Sequence, residues 1–466
     1  MSDTTTTAAA RLARWGVGLE LGEVPAGVAD AAGQHILDTL GCGLAALGMG
    51  EGLAGARVAA ASGGRAEATA LGAGDRVPAA AAALANGMLC HALDFDDTHE
   101  GSVSHISTVV VPAAVAVAER TGASGAELLA AVLAGSEAVA RIGMAAPGAF
   151  HARGFHPTSV CGVFGATLAA ARLMGLDEEQ ATRALGLAGS LASGVFEYLA
   201  DGSPTKPLHA GWAAQAGVQA AALAEAGAAG PASILEGRFG LYATHADGPA
   251  DIGAQLADLG ERWETPQIAF KLYPACHFSH AAVDAAVEAA GDAAIADIEE
   301  IVVRIPPGGV PIVLEPAAAK RSPRTGYDAK FSLPWCVAAR LADGRLEATS
   351  FDDDHVGDAE ILALAARVRH EPWPDAEPPS PFAAAAAVRH RDGTVRDAVL
   401  DAPRGTPENP LGTAGIVEKY TANARLALDA GAADRLAGAV LDLAACPDVR
   451  GPFGALAGAR AAAAAV

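Results

Sequence analysis

Nine of the chain's 13 histidines fall between His91 and His280. Seven of the nine lie in four stretches too polar for the Ala- and Leu-rich sequence around them. The first is His91-Ala92-Leu93-Asp94-Phe95-Asp96-Asp97-Thr98-His99-Glu100, continued by His105-Ile106-Ser107-Thr108. The second is Gly154-Phe155-His156-Pro157-Thr158-Ser159. The third is Ser203-Pro204-Thr205-Lys206-Pro207-Leu208-His209, and the fourth runs from Lys271-Leu272-Tyr273-Pro274-Ala275-Cys276-His277 to His280. In three of them a cation-capable side chain stands where a helix should begin. His105 precedes Ser107, Thr108 and Pro112; His156 precedes Pro157, Thr158 and Ser159; Lys206 lies between Thr205 and Pro207. Free N–H groups and the positive dipole end favour an anion at such places. Three openings together with Lys271 would make a carboxylate-binding cavity. The plainer alternative is a set of ordinary capped helices with locally bonded histidines. Recurrence along one chain speaks against it.

Short-motif readings of Asp94–Thr98 fail on context. Asp94-Phe95-Asp96-Asp97-Thr98 matches the DxDxT of haloacid-dehalogenase-type phosphatases, but that motif must end a buried strand, and Ala79–Leu93 reads as helix. Asp96-Asp97-Thr98-His99-Glu100 fits the DDxx(D/E) magnesium motif of helical terpene synthases. Those pockets need an aromatic lining, and this chain is 5% aromatic with no second magnesium motif. A metal site from Asp96, His99 and His105 lacks diagnostic spacing, so no metal is expected.

The charge balance sets the frame. The chain carries 54 acidic and 32 basic residues, a formal net charge of −22. No basic stripe exists to displace counterions from phosphates, which argues against nucleic acid. Apolar stretches are broken by charge, Gly or Pro within about 18 residues, and the first residues lack a signal-peptide core, so neither membrane nor export is expected. Six scattered cysteines without a CxxC pair read as reduced thiols, mostly core, in a cytoplasmic protein. Of the 32 basic residues only five are lysines: Lys206, Lys271, Lys320, Lys330 and Lys419. Lys is a compact donor and Arg a wide planar fork, so a chain that otherwise uses Arg draws attention to its lysines.

The elements that must position these groups are mainly α. Val28–Leu47, Ala79–Leu93, Pro112–Arg120, Ala126–Ile142, Cys161–Met174, Glu178–Ala188 and Ala210–Ala226 read as helices, capped by Gly, Pro and Ser/Thr/Asp. After Trp263 the texture changes. Asp297–Pro306 alternates like a strand, Gly344–Ala348 is a second short candidate, and Ala384–Ala402 reads as a hairpin turning at Arg391-Asp392-Gly393. Glu371–Pro381, with five prolines, reads as loop. Helical texture returns from about Gly415 to Val466. The expected layout is a large helical domain made of both chain ends (1–265 and 403–466), with a smaller α+β domain inserted at 266–402.

In order along the chain, HALDFDDTH, GFHPTSVCG, DGSPTKPL (Asp201–Leu208), KLYPACHFSH, DAKFS (Asp328–Ser332) and GTPENP with EKY (405–420) resemble the MmgE/PrpD family. That family includes 2-methylcitrate dehydratase and cis-aconitate decarboxylase, and the resemblance spans nearly the whole chain. It implies an all-helical domain with an inserted lid, a site between them, a homodimer, and neither metal nor organic cofactor. By matching motif positions it implies that His105, His156, Lys206 and Lys271 are catalytic and carboxylate-binding, with Asp94 and Thr98 positioning substrate. On the lid side Cys276, His277 and Trp335 are the expected substrate contacts. Two departures fall there. Cys276 stands where the decarboxylase branch has a His, with the His shifted to His277, and Trp335 stands where a Tyr is expected. Both point away from cis-aconitate decarboxylation. The alternative for His277 and His280 is a solvent-facing helical pair, with His280 supported by Asp284.

The chemistry is consistent with the residue types. Dehydration, decarboxylation and epimerisation of polycarboxylates all move a proton at a carbon beside a carboxylate. Imidazoles supply acid and base near neutrality, and fixed ammonium groups hold the carboxylates. The expectation is a cofactor-independent lyase on a small di- or tricarboxylic acid, of the 2-methylcitrate dehydratase type. His156 or His105 is base or acid, and Lys206 and Lys271 form the clamp. An isomerase or epimerase of a succinate- or aspartate-like dicarboxylate is the runner-up, then a cis-aconitate-type decarboxylase. An inactive helical scaffold is the non-enzyme alternative.

Overall fold

The computed structural model describes residues 6–373 and 380–461. The chain forms two compact units. One comprises the chain up to Ala92, Asp96–Ala269 and the chain from Gly412; the other comprises Leu93–Phe95 and Phe270–Leu411. The tripeptide Leu93–Phe95 thus belongs with a unit whose remaining residues lie far along the sequence.

The first unit is helical. Its main elements are α1 (Ala8–Gly18), α2 (Ala26–Met49), α3 (Ala79–His91), α4 (Ser107–Thr121), α5 (Gly125–Met144), α6 (Gly162–Leu173), α7 (Glu178–Ala188) and α8 (Lys206–Glu225), joined by Gly412–Ala424 and Ala430–Leu441. Local signals set several ends. Ser124 and Glu127 form a capping box at the start of α5, as Asp177 and Gln180 do for α7. Gly50 and Gly122 close α2 and α4 in the left-handed conformation. Pro112 lies inside α4 instead of opening it, because the helix already starts at Ser107. The amide of Ser107 there donates to Asp97 Oδ1 at 3.2 Å.

Small residues let these helices approach closely. A Cβ on Gly87 of α3 would stand 2.8 Å from Gly211 Cα of α8. No side chain fits that gap, so the pair fixes the spacing of the two helices. This contact carries the end of α3, with His91, and the start of α8, with Lys206, into one neighbourhood. Among the described residues no single helix is long and apolar enough to cross a membrane. The bent pair Ala26–Met49 and Ala54–Ala61, at 91°, passes by length and composition only, and most of α2 is buried.

The segment after α3 is irregular. Asp94 (φ 55°) and Val103 (φ 52°) adopt left-handed backbone. Thr98–His99 pairs antiparallel with Ile268–Ala269, so Asp94–Thr98 follows a helix and leads into a strand, the reverse of the phosphatase context. A buried polar layer anchors this turn. His99 Nε2 lies 3.2 Å from Glu264 Oε2, and Glu137 Oε1 accepts from the amides of Glu264 and Thr265, both at 2.8 Å.

The second unit carries a four-stranded sheet: β1 (Ile298–Arg304), β2 (Val368–His370), β3 (Ala384–His390) and β4 (Val395–Leu400), in the order β2-β1-β3-β4. β1 and β2 are parallel and the other pairs antiparallel. The β3–β4 hairpin turns at Arg391–Thr394, with Gly393 at φ 87°. The strand expected at Gly344–Ala348 does not form. Gly344 instead closes helix Leu333–Asp343 in the left-handed conformation, and Ala348–Phe351 is a 3₁₀ turn. β2, only three residues long, gave no periodic signal. The proline-rich tract expected as loop lies partly outside the described residues, as does the end of the C-terminal helical texture. Helices His280–Ala290 and Leu333–Asp343 pack with the sheet around Ile301, Val303, Trp335 and Ala386, all fully buried.

Candidate active site

Within the helical unit, three segments meet: the end of α3, the turn that carries Asp96–His105, and the start of α8. His91 Nδ1 lies 2.7 Å from Asp96 Oδ2, and His105 Nδ1 lies 3.3 Å from the same oxygen. His105 Nδ1 is also 2.9 Å from Asp97 O and 3.5 Å from the Thr98 hydroxyl. A carbonyl and a carboxylate can only accept, so Nδ1 carries the proton. That leaves His105 Nε2 as an acceptor, and the Lys206 ammonium stands 3.5 Å from it. The His105 amide donates to Thr158 Oγ1 at 3.0 Å, tying this turn to the His156–Ser159 segment.

His156 is the next ring, 6.3 Å from His105 and 5.8 Å from His91 between centroids. Its Nδ1 is 3.1 Å from His209 Nδ1, so one of those nitrogens donates and the other accepts. Phe196 packs on its other side at 5.3 Å. Burial, followed by the repulsion that charge on His91 and Lys206 would exert, lowers His156 well below the usual histidine range. Burial and then Lys206 bring His209 down to about 4. Burial brings His91 to about 4 against the pull of Asp96. Burial alone would raise the Asp96 carboxyl, but His91 and His105 more than offset it and hold it well below the usual range. The cluster therefore combines neutral imidazoles, one buried carboxylate and one ammonium.

His91, His105 and His156 bring ring nitrogens within 4.8 Å of one another, a candidate metal ligand set within this unit. The Lys206 ammonium beside His105 Nε2 places a fixed cation where a metal ion would be repelled, so the set suits proton transfer better than metal binding.

In the second unit Lys271, 2% exposed, donates to Asp94 O at 2.9 Å and pairs with Asp94 Oδ1 at 3.1 Å. Lys330 donates to Leu93 O at 2.7 Å and lies over the Phe351 ring at 5.0 Å. Two of the five lysines thus hold consecutive residues of one short segment. They support the left-handed backbone of Asp94, whose short polar side chain tolerates it.

Of the expected site residues, the structure brings Thr98, His105, His156 and Lys206 together in one unit, and Asp94 and Lys271 in the other. Cys276 is half-buried, its amide bonded to Lys330 O at 2.8 Å. His277 is buried, stacked on Phe382 at 4.6 Å and tilted against His280 at 4.9 Å. The solvent-facing pair does not form. His280 is buried and donates to Ala275 O at 3.1 Å, while Asp284 engages Arg404 and the Tyr273 hydroxyl. Trp335 sits in the unit's core, fully buried, its one donor given to Val356 O at 3.3 Å. A substrate contact through that N–H does not fit this placement. The sequence offers Asp96 only as a metal ligand, and does not single out His91 or His209. Each lay inside a polar stretch, but nothing in the spacing ranked it above its neighbours.

Comparison with known proteins agrees with the motif order. A model described as the MmgE/PrpD N-terminal domain matches residues 10–252, and one described as the MmgE/PrpD C-terminal domain matches 273–444. A cis-aconitate decarboxylase of Homo sapiens is 31% identical over 362 residues, covering 75% of this chain and 73% of that protein. The enzyme of that name from Mus musculus is 31% identical over 367 residues, covering 75% and 72%. A cis-aconitate decarboxylase of Aspergillus terreus (strain NIH 2624) is 25% identical over 471 residues, covering 94% of each chain. With both domain models matched in order along most of its length, the chain belongs to the MmgE/PrpD family.

Proposed function

We propose that this protein is a lyase that moves a proton at a carbon beside a carboxylate of a small tricarboxylic acid. The observation that carries the reading is His105, with Nδ1 bonded to acceptors and Nε2 facing the Lys206 ammonium. An imidazole so arranged takes or gives a proton at Nε2. The neighbouring ammonium holds a substrate carboxylate and the charge that grows on it. His156, backed by His209, is the second acid/base group. No organic cofactor is invoked.

Two bond cleavages fit this set. In decarboxylation the electron pair of the C–CO₂⁻ bond flows into the conjugated carboxylate, CO₂ leaves, and an imidazolium returns a proton to carbon. In dehydration a neutral imidazole takes the α-proton, and the hydroxyl leaves as water after protonation by the second acid. Sequence alone favoured dehydration of a 2-methylcitrate-like acid. Decarboxylation of cis-aconitate now leads, for two reasons: the curated relatives carry that name, and the burial of Trp335 removes one departure that had pointed away from it. Dehydration remains the second reading, favoured by Cys276. Incubation with cis-aconitate, 2-methylcitrate and related acids in D₂O, followed by NMR, separates them. Loss of CO₂ supports the first reading and loss of water the second. Deuterium exchange with an intact skeleton would indicate an epimerase instead, and no change across the panel would refute the lyase reading.

A further inference from the structure

Asp96 has no place in the roles above, yet it is a buried acid set between two imidazoles of the helical unit. It is fully buried, and one of its oxygens, Oδ2, faces two imidazoles, His91 at 2.7 Å and His105 at 3.3 Å. Its Oδ1 and His91 Nε2 are buried and have no hydrogen-bond partner among the described residues. A polar layer of this kind is costly unless its geometry serves something.

We infer that Asp96 is the positioning carboxylate of His105, and that His91 locks it in place, so the three side chains work as one unit in the proton transfer. The inference rests on the lyase reading of His105. Its logic is that of a carboxylate behind a catalytic imidazole: it fixes the tautomer, aims the opposite nitrogen, and stabilises the imidazolium once the proton arrives. His91 adds a second part. Its ring is kept neutral by burial, so its Nδ1–H restrains the carboxylate without cancelling its charge. The negative charge therefore stays available to His105.

The surrounding groups are compatible with this role. Lys206 approaches His105 from α8 on the Nε2 side, opposite Asp96. His156 stacks beside His91 at 5.8 Å. On the far side Asp38 of α2 is paired with Lys419 at 2.7 Å, a buried pair that adds little net charge. Asp97 accepts from His105 through its backbone oxygen, while its carboxylate is engaged by His35 at 2.8 Å and the Ser107 amide. Within the helical unit Asp96 is thus the carboxylate whose own oxygen faces His105 Nδ1.

Two measurements test this. In the first, Asp96→Asn is compared with wild type by steady-state kinetics on the substrate found above. The expected result is a fall in kcat of at least about tenfold with KM little changed, because substrate binding is left intact. In the second, ¹⁵N-histidine labelling of the wild-type protein reports the tautomer of His105, assigned by the signals lost in His105→Gln. The expected result is the Nδ1–H form in both proteins, held by Asp97 O, with the Nδ1 resonance displaced in Asp96→Asn because the charged acceptor is gone. A folded Asp96→Asn with wild-type kcat, or a wild-type His105 carrying its proton on Nε2 alone, would overturn the inference. If Asp96→Asn does not fold, His91→Gln, which releases the carboxylate, is read by the same kinetics: a lowered kcat supports the inference and a wild-type kcat overturns it. If wild type turns over no acid in the panel, the lyase reading fails, and the tautomer measurement still judges the Asp96 contact.

Discussion

Lys206 Nζ stands 3.5 Å from His105 Nε2, so the ammonium on the first turn of α8 faces the one ring nitrogen left bare by Asp96 and Asp97. This pairing places a proton acceptor and a fixed positive charge side by side. The pair is presented to a common point from two separate chain segments.

Replacing the ammonium tests that pairing. Lys206→Met should lower kcat/KM by about 100-fold, the range of a lost charge-stabilising donor. Lys206→Arg should fail to restore it, since a planar fork does not fit where a compact donor stood. The same loss has a spectroscopic sign. His209 is held at about 4 by burial and then by Lys206, so removing the lysine should move its NMR titration midpoint up toward 6.5.

The Lys271–Asp94 pair predicts a thermodynamic coupling. Both side chains are buried, so Lys271→Met removes the ammonium that offsets a buried carboxylate. That should cost about 3–5 kcal/mol of stability. Lys271→Met combined with Asp94→Asn should recover most of the loss, because no unpaired charge remains. Urea unfolding of the two single variants and the double variant reads the coupling.

Trp335→Phe should cost about 1 kcal/mol, the value of one buried hydrogen bond, and leave KM and the product unchanged. A large rise in KM would return Trp335 to the substrate site and displace the core role read from its contact with Val356.

Buried neutral histidines give stability a defined pH dependence. Burial holds His91 and His99 at about 4 and His280 at about 3, against 6.5 when unfolded. Between those values the unfolded chain binds the extra proton, so stability rises with pH, by up to about 1.4 kcal/mol per pH unit for each ring. The gain is complete above pH 6.5. It is lost as pH falls toward 4 for His91 and His99, and toward 3 for His280. The difference in stability between wild type and His280→Gln should therefore grow in favour of wild type from pH 3 to 6.5 and flatten above 7. A difference independent of pH would contradict the neutral, buried placement of His280.

The sequence was most informative where one residue type had one physical use. The capping pairs Ser124/Glu127 and Asp177/Gln180 sit at or within two residues of the expected helix starts, and Gly393 marks the hairpin turn. The lysines repaid their scarcity. Lys271, Lys330 and Lys419 are buried, Lys206 and Lys320 half-buried, and each has a named polar partner. Legibility ended where long-range geometry decides. Nothing in the text of HALDFDDTH says that Asp96 faces two imidazoles while Asp97, next to it, faces His35. Trp335 followed a motif closely enough to be taken for a substrate contact, but the helix that carries it turns that face into the core. β2 is three residues long and owes its form to β1 alone.

The central claim is that His105 moves the proton and Lys206 holds the charge. The most direct measurement is deuterium incorporation at the α-carbon of product formed in D₂O, followed by NMR for wild type, His105→Gln and Lys206→Met. The account predicts stoichiometric labelling by wild type and a fall in its rate of at least about 100-fold in each variant. Labelling at the wild-type rate in folded His105→Gln would contradict it.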